Sequence, residues 1–147
     1  MNYLPDQEYK KIINLMPIFC IDFLITWEKQ YLLLQRKEEP LKNDYWVVGG
    51  RLFFKETIKD AAKRIQKREI GRYFSKFKEI GFSNYFFPSK PGSKATHTPA
   101  ILYKISVTKK FDPIVDRQHN NFIWSNKIPK ELIKQTTFFE PQNFKEN

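Results

Sequence analysis

The chain has 147 residues, a net charge of +10 from 26 basic against 16 acidic side chains, and 41% hydrophobic and 16% aromatic residues. That length and apolar content predict one globular domain over residues 1–147 and exclude a disordered chain. The positive balance points to an anionic partner, a phosphorylated small molecule ahead of RNA, because no basic cluster interleaves with aromatics in a nucleic-acid pattern.

No apolar run reaches the roughly 18 residues of a membrane span, and MNYLPDQEYKK lacks the basic-then-apolar order of a signal peptide. A cytoplasmic protein without a membrane partner is the expectation. Cys20 is the only cysteine, which excludes an intrachain disulfide, and its apolar surroundings suit an inert packed thiol.

In chain order, Asp6 to Met16 reads as an amphipathic helix, with Tyr9, Ile12, Ile13 and Met16 on one face and Pro17 breaking it. Ile18 to Trp27 is β-branched and aromatic, hence a strand, and Tyr31 to Gln35 pairs with it as a hairpin. Period-two alternation puts Phe19, Ile21, Phe23 and Ile25 on one face of the first strand and Cys20, Asp22 and Leu24 on the other. A charged loop over Lys37 to Asp44 leads to a short strand, Tyr45 to Val48, and then to Gly49-Gly50. Thr57 opens a helix as its cap, Asp60 suits the positive helix end, and Gly71 closes it after Ile70. Ile80 to Phe87 and Ala100 to Thr108 read as strands joined by the loop PSKPGSKATHTP. Ile114 to Trp124 holds a strand interrupted by DRQHNN, and Ile128-Pro129 opens a last helix ending near Gln135. The tail TTFFEPQNFKEN reads as irregular. This order argues for an α+β fold, a mixed β-sheet sandwiched between α-helices (α/β/α).

On a helical wheel, Ile58, Ala61, Ala62 and Ile65 form an apolar stripe, and Glu69 falls on it one turn later. A carboxylate on an inward face near a helix C-terminus needs a compensating cation or donors. Read alone, Glu69 reaches solvent and pairs with Arg64 or Lys67; read with its neighbours, it faces a ligand. Gly49-Gly50 at a strand end exposes backbone to such a ligand. The Gly49 carbonyl and the Glu69 carboxylate are oxygen donors suited to magnesium, and Arg51 is placed to meet a phosphate.

The segment GGRLFFKETIKDAAKRIQKREIG resembles a Nudix box in which Gly50, Glu56, Arg64, Glu69 and Gly71 keep their places. Ile65 and Arg68 stand where two further glutamates are usual, so the resemblance implies at most one metal ion. Glu56 and Arg64 are expected to brace the loop. That loss is similar to the GDP-mannose mannosyl hydrolase branch. IDFLI with Asp22, LLLQR with Arg36, DYWVVGGR with Arg51 and Asp116-Arg117-Gln118-His119 resemble segments of that branch as well. The resemblance implies a magnesium ion held by Gly49, Glu69 and Gln118, and His119 as the general base. It implies Arg36 and Arg51 on the diphosphate, Asp22 and His97 as further substrate contacts, and a homodimer. For His97 a solvated loop position is the competing reading, and for Asp22 it is a side chain pointing to water near the sheet edge. Departures from the branch are Val48 in place of a proline, Thr98 in place of a tyrosine, and Arg68 in place of a small residue.

The expected activity is hydrolysis of a nucleotide sugar, GDP-mannose or similar, with water attacking the anomeric carbon. The alternatives are a Nudix pyrophosphohydrolase that attacks at phosphorus, and a domain that binds a nucleotide or RNA without catalysis.

Overall fold

The computed structural model describes residues 5–91 and 94–144. Helix α1 (Asp6–Leu15) precedes strands β1 (Cys20–Trp27), β2 (Gln30–Arg36), β3 (Tyr45–Trp46) and β4 (Val48–Arg51). Helix α2 (Ile58–Ile70) leads to β5 (Lys78–Phe87), β6 (Thr96–Ser106) and β7 (His119–Ser125), then α3 (Lys130–Lys134) and β8 (Thr136–Phe138). The eight strands form one mixed sheet with the path β3-β2-β1-β6-β5-β8; β4 adds to β1 and β7 adds to β2. β1 and β6 run parallel, with Asp22 opposite Leu102, while every other pairing is antiparallel.

The alternation along β1 separates two cores. Ile21, Phe23 and Ile25 pack with Ala61, Ala62 and Ile65 of α2. Leu24 packs on the other face with Trp46, Tyr85 and Leu102, and with Leu132 of α3. Helices therefore cover both faces of the sheet, as an α/β/α sandwich requires.

Local chemistry explains α2. The Thr57 Oγ1 accepts from the Asp60 N–H at 3.1 Å, and Gly71 takes a left-handed φ of 69° as its N–H donates to the Lys67 carbonyl. Asp60 lies in the first turn and Lys67 and Arg68 in the last, each matching the helix dipole.

Four expectations change. Met16 lies outside α1 in extended backbone and is exposed, because Pro17 turns the chain before another helical turn can form. Val48, expected to end the strand begun at Tyr45, instead starts β4, which carries both glycines into pairing with β1. β6 begins at Thr96, so His97 sits in a strand opposite Phe86. The tail holds β8, whose short run finds a partner only in β5, far away in sequence. Of the tail aromatics, Phe138 packs against the second core and Phe139 stays exposed.

Candidate active site

The glycine pair lets two faces of the sheet meet. A Cβ added at Gly49 would lie 2.1 Å from Asp22 Oδ1, and one at Gly50 would lie 3.1 Å from Arg68 Nη2 and 3.3 Å from Ile65 Cγ1. Any side chain at Gly49 would therefore displace the Asp22 carboxylate. From the other side, the Gly49 N–H donates to Glu69 Oε2 at 3.0 Å. Glu69 is 3% exposed, so it does not reach solvent. Its partner is neither Arg64 nor Lys67 but Arg68, whose Nη2 donates to Oε1 at 2.6 Å.

Arg68 continues the network. Its Nε lies 3.6 Å from Asp116 Oδ2, and Asp116 Oδ1 is 2.7 Å from His119 Nδ1. The same Oδ1 accepts the Gln118 N–H at 3.0 Å. A chain of contacts thus runs Glu69–Arg68–Asp116–His119. A carboxylate on Nδ1 selects the tautomer that leaves Nε2 as the acceptor. The segment Asp116-Arg117-Gln118-His119 puts Asp116 near His119 in sequence, and the fold pairs the two side chains. Arg68, which in the sequence stands where a further glutamate is usual, is the partner of Glu69.

A cavity of about 650 Å³ gathers these groups, a size suited to a nucleotide-scale ligand. Asp22, Arg36, Gly49, Arg51, Arg68, Glu69, His97, Gln118 and His119 all line it. Every residue singled out in the sequence as a site candidate therefore reaches one cavity. A shallower depression of about 990 Å³ around Trp27, Lys29 and Lys110 lies at the far end of β1 and holds no histidine.

Each candidate is held in its own way. Arg36 sits at a bulge in the β2–β7 ladder opposite His119, and its Nε donates to the Pro40 carbonyl at 2.7 Å. Arg51 lies over the Tyr9 ring at 4.4 Å and the Phe53 ring at 5.0 Å. His97 Nε2 pairs with Asn84 Oδ1 at 2.7 Å, and its ring stacks on Phe86 at 4.3 Å. It is half-buried in β6 and is not a solvated loop residue. Gln118 is exposed at the rim. Tyr85 was missed as a site residue. Its buried hydroxyl lacks a well-formed hydrogen bond, and Asp22, Ser83 and Thr136 are its polar neighbours.

Electrostatics mark the two buried acids. Burial pushes Asp22 up to about 7, with the nearby Glu69 charge adding to the shift. Burial also raises Glu69, while Arg68, His119 and the Gly49 N–H pull it back. Burial raises the half-buried Cys20 thiol as well, which favours its protonated form.

Below the cavity, Glu56 and Arg64 form the expected brace. Arg64 Nε and Nη2 donate to Glu56 at 2.6 and 2.7 Å, and Nη2 also donates to the Arg51 carbonyl at 2.9 Å. Glu56 Oε2 accepts the Phe53 N–H at 3.0 Å. The Arg64 pair holds the Glu56 carboxyl below the usual carboxylate range.

The donors fit a divalent cation poorly as they stand. Both Glu69 oxygens are engaged, one by the Gly49 N–H and the other by a guanidinium. Ile65 is wholly buried in the core, so the second acid position is also closed. Among the described residues, no group of three His, Cys, Asp or Glu side chains is disposed to hold a metal.

No family model matches the chain. The low-salt glycan biosynthesis protein Agl8 of Haloferax volcanii is 27% identical over 106 residues, covering 71% of this chain and 68% of that protein. A MutT/nudix family protein from Enterococcus faecalis superposes with a TM-score of 0.60 at 17% identity, over 84% of this chain and 56% of its own. A bifunctional NMN adenylyltransferase/ADP ribose pyrophosphatase from Francisella tularensis, complexed with AMP and a manganese ion, gives 0.57 at 19% identity over 87% and 38%. The chain thus spans little more than half of the first of these solved structures and about two fifths of the second. The fold is the Nudix fold.

Proposed function

We propose that this Nudix-fold chain hydrolyses a nucleotide sugar, with GDP-mannose giving GDP and mannose as the specific reaction. One observation carries the reading: a single cavity sets His119, held by Asp116, among three arginines. That is an acid–base group beside a site for a doubly charged leaving group. The resemblance of Asp116 to His119, and of the Arg36 and Arg51 segments, to the GDP-mannose mannosyl hydrolase branch supports the substrate. So does a relative named for glycan biosynthesis.

In this reading His119 Nε2 takes a proton from water as its oxygen bonds to the anomeric carbon. The bond from that carbon to the diphosphate oxygen breaks, and its electron pair leaves on the nucleoside diphosphate. Arg36 and Arg51, with forked donors, meet that charge. Asp22 and His97 contact the sugar or base. The reading includes a homodimer in the cytoplasm and a single domain over residues 1–147; a monomeric sedimentation profile removes the dimer.

Magnesium on the Gly49 carbonyl, Glu69 and Gln118 is the second reading for the counter-charge. It is favoured by the three residues lining one cavity and by the manganese in the Francisella neighbour. It requires Arg68 to leave Glu69.

Hydrolysis in heavy-oxygen water tests the reaction. Label in the sugar is expected; label in a phosphate product makes the chain a pyrophosphohydrolase instead. His119→Ala should lower kcat by roughly 10²–10⁴-fold with little change in KM. Tight nucleotide binding with no turnover of any nucleotide sugar would leave a binding domain.

A further inference from the structure

We infer that Arg68 stands in for a metal ion, so that the cavity grips a diphosphate with a fixed guanidinium and needs no divalent cation. The ligand class rests on the function proposed above; the geometry of Arg68 does not.

Arg68 leaves the last turn of α2 and crosses above Gly50, where its Nη2 lies 3.1 Å from the place a Cβ would take. It reaches Glu69 at 2.6 Å and comes within 3.6 Å of Asp116. A cation bound to Glu69 in this cavity would have to share that carboxylate with the guanidinium, and like charges at contact distance repel strongly in a partly buried site. Arg68 also removes the reason to recruit a metal, because it already neutralises a buried acid. Its side chain is 31% exposed and lines the cavity, so its charge is presented to a bound anion. A planar guanidinium suits phosphate oxygens.

The position has a second consequence. Arg68 joins the acid of α2 to the Asp116–His119 pair, which a freely exchanging metal would not do. The cation that faces the diphosphate thus lies in ion-pair range of the group that holds the base.

Two measurements on the wild-type chain test this. Manganese added to the protein without nucleotide is followed by the loss of its free-ion EPR signal, and inorganic pyrophosphate binding is measured by calorimetry in EDTA and in magnesium. The expected results are no protein-bound manganese at millimolar concentration and pyrophosphate binding at least as tight in EDTA as in magnesium. Stoichiometric manganese binding, pyrophosphate binding seen only with magnesium, or no pyrophosphate binding in either condition each overturns the inference. Arg68→Ala should weaken pyrophosphate in EDTA by about tenfold or more and gain a manganese site on the freed Glu69, while Arg68→Lys, a point charge without the fork, should recover only part of the binding. Pyrophosphate held in EDTA by a chain that hydrolyses no nucleotide sugar would sink the proposed reaction and leave this inference standing.

Discussion

Replacing Arg64 by alanine removes the brace beneath the cavity, and the structure allows its cost to be worked out. Arg64 gives two short donors to Glu56 and a third to the Arg51 carbonyl, and its guanidinium lies 3.8 Å from the centre of the Phe53 ring. Its side chain is 17% exposed and that of Glu56 only 4%. In Arg64→Ala, Glu56 keeps the Phe53 N–H as its one remaining donor among these contacts. Stranding one member of a buried ion pair costs about 3–5 kcal/mol. Water can enter where Arg64 stood, which places the loss near the lower end, about 3 kcal/mol, or a Tm drop on the order of 10 °C. Glu56→Gln combined with Arg64→Ala removes the stranded charge and should recover part of that loss.

The pH dependence has a definite sign. The folded-state Glu56 carboxyl lies below its ordinary value, so its contribution is present above the unfolded value near 4.5 and fades as pH falls through the folded one. The gap between wild type and Arg64→Ala should therefore be full at pH 7 and shrink at pH 3. Urea unfolding followed by circular dichroism at both values measures it. A variant within about 1 kcal/mol of wild type at pH 7 would refute the reasoning, as would a double variant no more stable than the single one.

Gly49→Ala drives a Cβ to 2.1 Å from Asp22 Oδ1 and 3.2 Å from the Ile21 carbonyl, and should cost about 1–3 kcal/mol in urea unfolding; an unchanged midpoint contradicts the close approach. Asp22 is raised from 3.8 to about 7, so the folded state binds the extra proton and the contribution of Asp22 to stability declines as pH rises between those values. Asp22→Asn should flatten that decline, by at most about 4 kcal/mol, and parallel pH–stability curves for the two proteins would show that Asp22 is not the group responsible. Asp116→Asn should leave His119 without a fixed tautomer, visible as averaged imidazole nitrogen shifts in NMR, and should lower kcat more than it changes KM. Unchanged nitrogen shifts would show that Asp116 does not orient the ring.

Much of the architecture is legible in local sequence because local forces set it. The α2 helix carries its cap at Thr57, its stop at Gly71 and its stripe through Ala61, Ala62 and Ile65 within consecutive turns, and all appear where expected. The two faces of β1 follow from strict alternation. Elements whose partner is distant carry a weaker local signal. β8 has three residues and gains its ladder only from β5, and His97 joins a strand because Phe86 lies opposite.

The site divides along the same line. Local pattern is enough to nominate Gly49, Arg51 and Glu69, since a glycine pair and an inward acid are readable without neighbours; Asp22, Arg36, His97, Gln118 and His119 are nominated through the resemblance to the Nudix family. What those side chains do to one another depends on distances that no local pattern encodes. Glu69 on an inward stripe demands some compensating charge, and neither Lys67 nor Arg64 stands three or four residues away from it on the helix. Only the folded chain selects Arg68, because Arg64 is already committed to Glu56 and because Asp116 arrives from the β6–β7 loop to hold the other side of the guanidinium. Sequence by itself thus determines that a buried acid must be neutralised at this strand end; tertiary packing decides that an arginine of the chain sits there.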